Sequence, residues 1–368
     1  MDVDRRSFVL GSAAAARALY GQDAQIKTAV IGTGNRGSHL LLGVLQQPVA
    51  KVVAVCDIKP DRLDKAASSA AKDNPTTYTE WRKVIDRKDV DAVYIATPPH
   101  LHSEMAIAAL EAGKHVYCEK PIGVTAAQVK ALYNVARRTK KVFIAGQQMR
   151  TQKQLAAAVK KIHEGVIGDV MMVRAQRHAG GDMGKNASSA DWYFDVAKSG
   201  GYLIEQSVHN LDCCNWVVNA HPMKCAGFGG TLLYKNEPPG RNIFDHGSMT
   251  FEYANGAKMT FTQNVFHPRG MPMPNQIIHV FGKKGAVDLL YSTTMYPFGR
   301  DEKPSVLAER EKEDQHAHTV AFYECILKNA PNPADIVIGA SGALTAIMGH
   351  EAMTKEKVIH WSEFGINI

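Results

Sequence analysis

At 368 residues, with 45% apolar and 21% charged side chains, the chain is long enough for two domains and too apolar to be disordered. Its formal charge of +7, from 43 basic and 36 acidic residues, is spread along the sequence with no Lys/Arg run interleaved with aromatics. That pattern excludes a nucleic-acid footprint and leaves an anionic substrate open. No stretch approaches the roughly 18 apolar residues that span a membrane, so stable membrane insertion is not expected.

The N-terminus reads as an export signal. Arg5-Arg6 is followed by Phe8, then by the weak alanine-rich run Gly11 to Ala16 and the small-residue stretch Ala16-Arg17-Ala18. The order of these parts resembles a twin-arginine signal, which implies the twin-arginine export machinery as a partner and a periplasmic or otherwise exported location. Residues 1–24 are therefore set apart from the fold. Six cysteines (Cys56, Cys118, Cys213, Cys214, Cys225 and Cys325) show no CxxC or Cys/His metal spacing and read as small buried hydrophobes.

Residues 27–31 form a short apolar run typical of a buried parallel strand, ending in Gly32-Thr33-Gly34-Asn35-Arg36-Gly37. A helix to about Gln47 follows, then a strand from Lys51 to Cys56 ending at Asp57. Asp61 to Ala71 has helical spacing. A strand from Val90 to Ala96 leads into Thr97-Pro98-Pro99-His100-Leu101-His102, and a helix from about Ser103 to Glu111 stops at Gly113. The next strand ends in Glu119-Lys120-Pro121. Thr125 can cap a helix to about Arg138, and Val142 to Ala145 is one more strand. This alternation predicts a doubly wound Rossmann domain with a parallel sheet over residues 25–147.

After a helix near Gln152 to Glu164 the pattern changes. Strand-like runs at Val170–Gln176, Lys224–Leu233, Gly247–Tyr253, Ala257–Val265, Gln276–Phe281 and Ala286–Leu290 predict an open, mainly antiparallel sheet in an α+β domain over residues 148–368. Tyr253-Ala254-Asn255-Gly256-Ala257 reads as a hairpin turn. A helix near Ser207 to Val218 interrupts the sheet. Helices near His316 to Lys328 and Gly339 to Thr354 close the chain and are candidates to pack back on the first domain. The outer face of an open sheet needs cover, which predicts a homo-oligomer.

The glycine loop lies directly after a strand and opens a helix, the context a dinucleotide fingerprint requires. Gly32 permits the tight turn, Gly34 a close approach to the pyrophosphate and Gly37 helix-on-strand packing, while Thr33, Asn35 and Arg36 complete the loop. Asp57 lies at the end of the second strand. A carboxylate there accepts the ribose hydroxyls and repels a 2′-phosphate, which favours NAD over NADP; Arg62 and Lys59 nearby keep NADP in play. A lysine at a strand end beyond such a loop, Lys120, suggests a nicotinamide enzyme with an ammonium beside the reacting carbon.

Four features carry a family resemblance: the glycine loop, Thr97-Pro98-Pro99 with His102, Ala112-Gly113-Lys114-His115-Val116, and Glu119-Lys120-Pro121. Gly200 to Asp212, with Glu205 four residues before His209, extends it. The chain resembles the glucose–fructose oxidoreductase/inositol dehydrogenase (Gfo/Idh/MocA) family. The resemblance implies an oxidoreductase acting on a sugar, polyol or glycoside hydroxyl. In it Thr97, Pro98, His102 and Glu119 belong to the cofactor site, Lys120 hydrogen-bonds the reacting hydroxyl and His209 is the general acid/base. Glu205 is expected to orient His209, since residues i and i+4 share a helix face. Imidazole, with a pKa near 6.5, exchanges protons near neutrality.

Arg150, His178, Asp182 and Trp192 are candidate sugar contacts, because polyols need polar groups and an aromatic platform. Tyr193 and Tyr202 compete with His209 for the catalytic centre. Many relatives carry Asp at the position of Glu205 and Arg at that of Tyr193, so the substrate pocket is the part of the resemblance that transfers least. His178, Asp182, Glu205 and His209 could converge on a metal, but no spacing demands one, a proton relay explains the last two more simply, and no metal is expected. His163, His221, His316, His318 and His360 read as surface. Export favours a cofactor bound before translocation and not released, which opens a redox-neutral alternative: glycoside cleavage or epimerisation through a keto intermediate. A non-catalytic dinucleotide sensor is the third class, disfavoured by the intact Lys120 and His209.

Overall fold

The computed structural model describes residues 25–180, 190–310, 312 and 314–368. The twin-arginine segment and Asp182 lie outside the described residues. Six parallel strands make the first sheet: β1 (Ile26–Ile31), β2 (Ala50–Cys56), β3 (Thr76–Tyr78), β4 (Ala92–Ile95), β5 (His115–Cys118) and β6 (Phe143–Ala145). Their order is β3-β2-β1-β4-β5-β6. β1, β4 and β5 are apolar on both faces because helices cover both, so no period-2 alternation is seen in them. β3 has no counterpart in the sequence reading, because its three residues, Thr-Thr-Tyr, at the sheet edge carry no such apolar signal. Thr125 caps the helix Ala126–Ala136, its Oγ1 accepting from the Gln128 amide at 3.3 Å.

Strand order reverses between β1 and β4. Chain connections leave this point in opposite directions, opening a crevice beyond the carboxyl ends of the two strands. The loops after β1, β4 and β5 all reach it.

The second sheet contains β7 (Val170–Gly180), β8 (Pro222–Gly230), β9 (His246–Tyr253), β10 (Lys258–His267), β11 (Gln276–Gly282), β12 (Gly285–Asp288), β13 (Thr294–Pro297), β14 (Ser305–Val306) and β15 (Ile359–His360). They lie in the order β14-β13-β12-β11-β7-β10-β9-β8-β15. All neighbours are antiparallel except β7 and β10. The exception follows from the path: the helix Val208–Val218 returns the chain after β7, and the meander β8-β9-β10 then runs up, down and up beside it. β9 and β10 join at the expected hairpin, where Gly256 has φ +85°. One face, with Val173, Ala175, Met249, Phe251, Met259, Phe261 and Val280, is buried; on the other, Met172, Arg174, Ser248 and Thr250 are exposed.

The C-terminal helices do pack back on the first domain. Phe322 and Tyr323, in the helix Ala317–Lys328, meet Tyr94 of β4; the Phe322 and Tyr94 rings stand edge to face with centroids 5.2 Å apart. The helix Ile336–Lys355 is long and apolar enough to cross a membrane by length and composition, yet 72% of its most apolar window is buried inside this fold. All six cysteines are buried and free of disulfides.

Candidate active site

A cleft of about 690 Å³ opens at the reversal point. The glycine loop forms one wall. A Cβ on Gly32, where φ is +83°, would lie 2.7 Å from the Ala96 carbonyl carbon, so the loop after β1 abuts the end of β4. A Cβ on Gly37 would lie 1.7 Å from the Gly32 carbonyl oxygen, so only glycine lets the helix Asn35–Leu45 start this close to its own loop. Gly32, Gly34, Asn35 and Arg36 line the cleft, with Asp57, Arg62, Thr97, Pro98, His102, Glu119 and Lys120. Thr33 and Gly37 do not. Thr33 is turned to Asp57, its amide donating at 2.7 Å and its hydroxyl at 3.2 Å to Oδ2. The other oxygen, Oδ1, accepts from the Lys59 amide at 2.9 Å.

The glycine cradle and the Asp57 carboxylate fit a dinucleotide. Replacing Asp57 by alanine removes the ribose acceptor and unties the loop from Thr33 and Lys59. NAD affinity is expected to fall ~10–100-fold, the worth of hydrogen bonds to a charged group, and the NAD/NADP preference to narrow. Titration of cofactor-free enzyme with each dinucleotide checks this; an unchanged NAD/NADP ratio would refute the role.

β5 delivers Glu119 and Lys120. Buried Glu119 accepts from Arg36 Nε at 2.6 Å. Burial pulls the Arg36 guanidinium down, but Glu119 outweighs it and holds its pKa above the ordinary value. His102 ties the loop after β4 to the loop after β5: its Nδ1 lies 2.7 Å from the Pro121 carbonyl and its Nε2 2.7 Å from the Thr97 carbonyl. Lys120 Nζ donates to the Glu205 carbonyl at 2.5 Å and to Glu205 Oε1 at 2.9 Å. An ammonium has three N–H donors, so one remains for the cleft.

The opposite wall comes from residues 203–209. Leu203–Ser207 is a π-helical turn leading into the helix Val208–Val218, a distortion frequent at functional sites. It corrects the expected Glu205–His209 pairing. The wider turn breaks the i, i+4 alignment of a regular α-helix, and both Glu205 oxygens go elsewhere: Oε1 to Lys120 and Oε2 to Gln206 Nε2 at 2.5 Å. His209 lines the cleft with its Nδ1 buried and without a partner among the described residues. Burial, then Lys120, Arg177 and Arg36, push its pKa well below 6.5.

The other substrate candidates divide. Trp192 lines the cleft. Tyr193 and Tyr202 do not; both are buried in an aromatic cluster with Phe194, Tyr234 and Ile243 behind it. Arg150 is also absent from the cleft, because it forms a buried two-bond pair with Asp212 (2.8 and 2.9 Å) and lies over the Trp216 ring. His178 faces the open side of β7, where its Nε2 lies 3.0 Å from Thr262 Oγ1; burial and His267 lower its pKa to about 4. Its neighbour Arg177 takes the cleft position instead. The missed signal was a charge in the buried register of β7, alternating with Val173, Ala175 and Ala179. His318, expected at the surface, is buried, with Nε2 3.3 Å from Arg36 Nη2. Burial and Arg36 lower its pKa to about 3.

His209 and His318 therefore stay neutral in the fold at pH values where the unfolded chain protonates them. Below about pH 6.5 the unfolded state binds more protons, so stability falls with falling pH, by up to about 1.4 kcal/mol per unit for each group. For His318 the loss runs from about pH 6.5 down to about 3. Denaturant unfolding at pH 7.5 and at pH 5 should show this decline, and His318→Gln should reduce its slope; an unchanged slope would contradict the burial argument.

Residues 26–147 match the model of an oxidoreductase family with an NAD-binding Rossmann fold (Gfo/Idh/MocA), and residues 155–288 match that family's C-terminal domain. A 2,7-anhydro-N-acetylneuraminate hydratase of Mediterraneibacter gnavus is 29% identical over 298 residues, 78% of this chain and 74% of that protein. A levoglucosan dehydrogenase of Pseudarthrobacter phenanthrenivorans is 34% identical over 228 residues, 57% of each chain. Among solved structures, levoglucosan dehydrogenase in complex with NADH and levoglucosan superposes with a TM-score of 0.78 at 21% identity, covering 91% of this chain and 99% of that one.

Proposed function

Because this chain belongs to the Gfo/Idh/MocA family of NAD-binding oxidoreductases, we propose that it moves hydride between a carbohydrate hydroxyl-bearing carbon and NAD, with Lys120 and His209 as its catalytic residues. One observation carries the reading. The Lys120 ammonium, with one N–H uncommitted, and the neutral, half-orphaned imidazole of His209 share a cleft with the Asp57 glycine loop.

When bound, NAD supplies the hydride acceptor. Gly32, Gly34, Asp57 and Arg62 would hold it, and the Arg36–Glu119 pair fixes the loop after β5 against the glycine loop. His209, neutral at neutral pH, accepts the hydroxyl proton. Lys120 donates its third N–H to the same oxygen and stabilises the negative charge that develops there. Glu205 positions Lys120 through two acceptors, and Trp192 offers the sugar an apolar platform. Levoglucosan, a sugar, is the ligand named for the structural neighbour, which supports a carbohydrate here.

A second reading, redox-neutral chemistry on the same residues, is favoured by the relative that aligns over 78% of this chain, a hydratase. A carbonyl formed at one carbon acidifies the neighbouring C–H; His209 would take that proton as the leaving group departs from the next carbon with the bonding electrons, and NAD would supply the uptake and return of one hydride. Export, supported by Arg5-Arg6 and Phe8, belongs with this reading, since a retained cofactor suits an exported enzyme. A homo-oligomer covering the open sheet face is supported by exposed Met172 and Phe228, and sedimentation equilibrium checks it. The deciding experiment is to denature extensively dialysed protein and assay released NAD(H), then follow absorbance near 340 nm with sugars. Net reduction means a dehydrogenase; retained NAD with product but no net reduction means the redox-neutral cycle. No hydride transfer under either protocol would sink both.

A further inference from the structure

Arg177 lines the cleft, and the mechanism does not use its charge. It reaches the cleft from β7 and is held by neutral oxygens alone: Nη1 donates to Asn210 Oδ1 at 3.0 Å and Gln276 Oε1 at 2.9 Å, and Nη2 to Gln206 Oε1 at 2.9 Å. Its Nε–H is buried without an acceptor among the described residues. No carboxylate among the described residues pairs with it, and Glu205, which lines the same cleft, has both oxygens engaged by Lys120 and Gln206.

Two other part-buried arginines of this chain are each neutralised by a carboxylate. Arg36 meets Glu119, and Arg150 meets Asp212. An unpaired guanidinium taken out of water costs free energy that neutral amides offset only in part. At the reacting end of the cleft the other cations are matched, Lys120 by Glu205 and Arg36 by Glu119, so Arg177 leaves one positive charge in excess. The same field depresses the proton affinity of His209. A pyrophosphate does not account for the charge, because the cradle for it lies on the glycine loop, whereas Arg177 stands with Gln206, Asn210 and Trp192 on the substrate side.

We infer that Arg177 binds a carboxylate of the substrate, so that the carbohydrate is an acidic sugar of the uronic or ulosonic acid type. The inference rests on the carbohydrate reading above and narrows it. Three amide oxygens fix the plane of the guanidinium, presenting a preorganised, charge-assisted donor. An acid bound there also lowers the surplus positive potential around His209, which favours the proton transfer asked of that residue.

The test uses NAD-loaded enzyme and matched probes: D-glucuronate with D-glucose, D-galacturonate with D-galactose, and N-acetylneuraminate with its methyl ester. Binding is read by calorimetry and hydride transfer near 340 nm. In at least one pair the acid should bind ~10–100-fold more tightly than its neutral partner. That margin should shrink between about 50 mM and about 500 mM NaCl. Arg177→Gln should abolish the margin, and Arg177→Lys, which keeps the charge but not the planar fork, should retain part of it. No acid preference in any pair overturns the inference, and this comparison on wild-type enzyme needs no variant to fold. An acid preference that survives Arg177→Gln in folded protein also overturns it. Hydride transfer from neutral sugars without acid preference would leave the oxidoreductase reading standing. Arg177-dependent acid binding with no hydride transfer would support the carboxylate site and remove that reading.

Discussion

Lys120→Ala is expected to lower turnover by ~10³-fold or more while leaving NAD bound. Two losses combine. The reacting oxygen loses the donor that stabilises its developing charge. Glu205, its side chain only 10% exposed, loses the partner 2.9 Å away. A buried carboxylate without its cation costs roughly 3–5 kcal/mol, so the variant should also unfold at lower denaturant. The effects separate in Lys120→Met combined with Glu205→Gln, which removes the stranded charge: stability should recover and turnover should not. Lys120→Arg should fold but stay slow, because a planar guanidinium cannot place three donors as an ammonium does. The measurements are steady-state turnover, bound-cofactor content and denaturant midpoint. Turnover within about tenfold of wild type in folded, NAD-loaded Lys120→Ala would end the catalytic assignment.

His209→Asn is expected to reduce kcat/KM by ~10²–10⁴-fold and to change the pH profile. In the direction of alcohol oxidation His209 must be neutral to take the proton. Its pKa in the free enzyme lies well below 6.5, because burial and the cations Lys120, Arg177 and Arg36 disfavour the imidazolium. Wild-type kcat/KM should therefore stay flat as pH falls through 6.5 and decline only at more acid pH. In His209→Asn that acid limb should vanish. Glu205→Gln is the discriminating companion. Since Glu205 bonds Lys120 and Gln206 and not His209, this variant should lower kcat without moving the limb. A limb shifted by about one unit or more would restore Glu205 as the partner of His209.

The parts of the site that sequence alone revealed are those whose chemistry is local. The glycine loop between a strand and a helix, Asp57 at the next strand end and Lys120 at another are each set by a few consecutive residues and by strand alternation. Helix caps and the hairpin at Gly256 were legible for the same reason. What failed were pairings over long separations. Arg150 reads in sequence as a sugar contact, but Asp212, 62 positions away, accepts from its Nε and Nη2. His318 read as surface until the last helices folded over Arg36, 282 positions upstream.

Two further points turned on geometry that composition does not encode. One residue of strand register decides that Arg177 enters the cleft and His178 the open face, because successive side chains point to opposite sides. A π-turn at Leu203–Ser207 decides that Glu205 holds Lys120, 85 positions away, instead of His209 on its own helix. The sequence by itself determined a dinucleotide cleft with a lysine at its edge, since local backbone chemistry suffices for that. Only the tertiary structure decided which charges in the cleft are neutralised and which one remains to meet a substrate, because charge balance in a buried site is a property of neighbours that packing brings together.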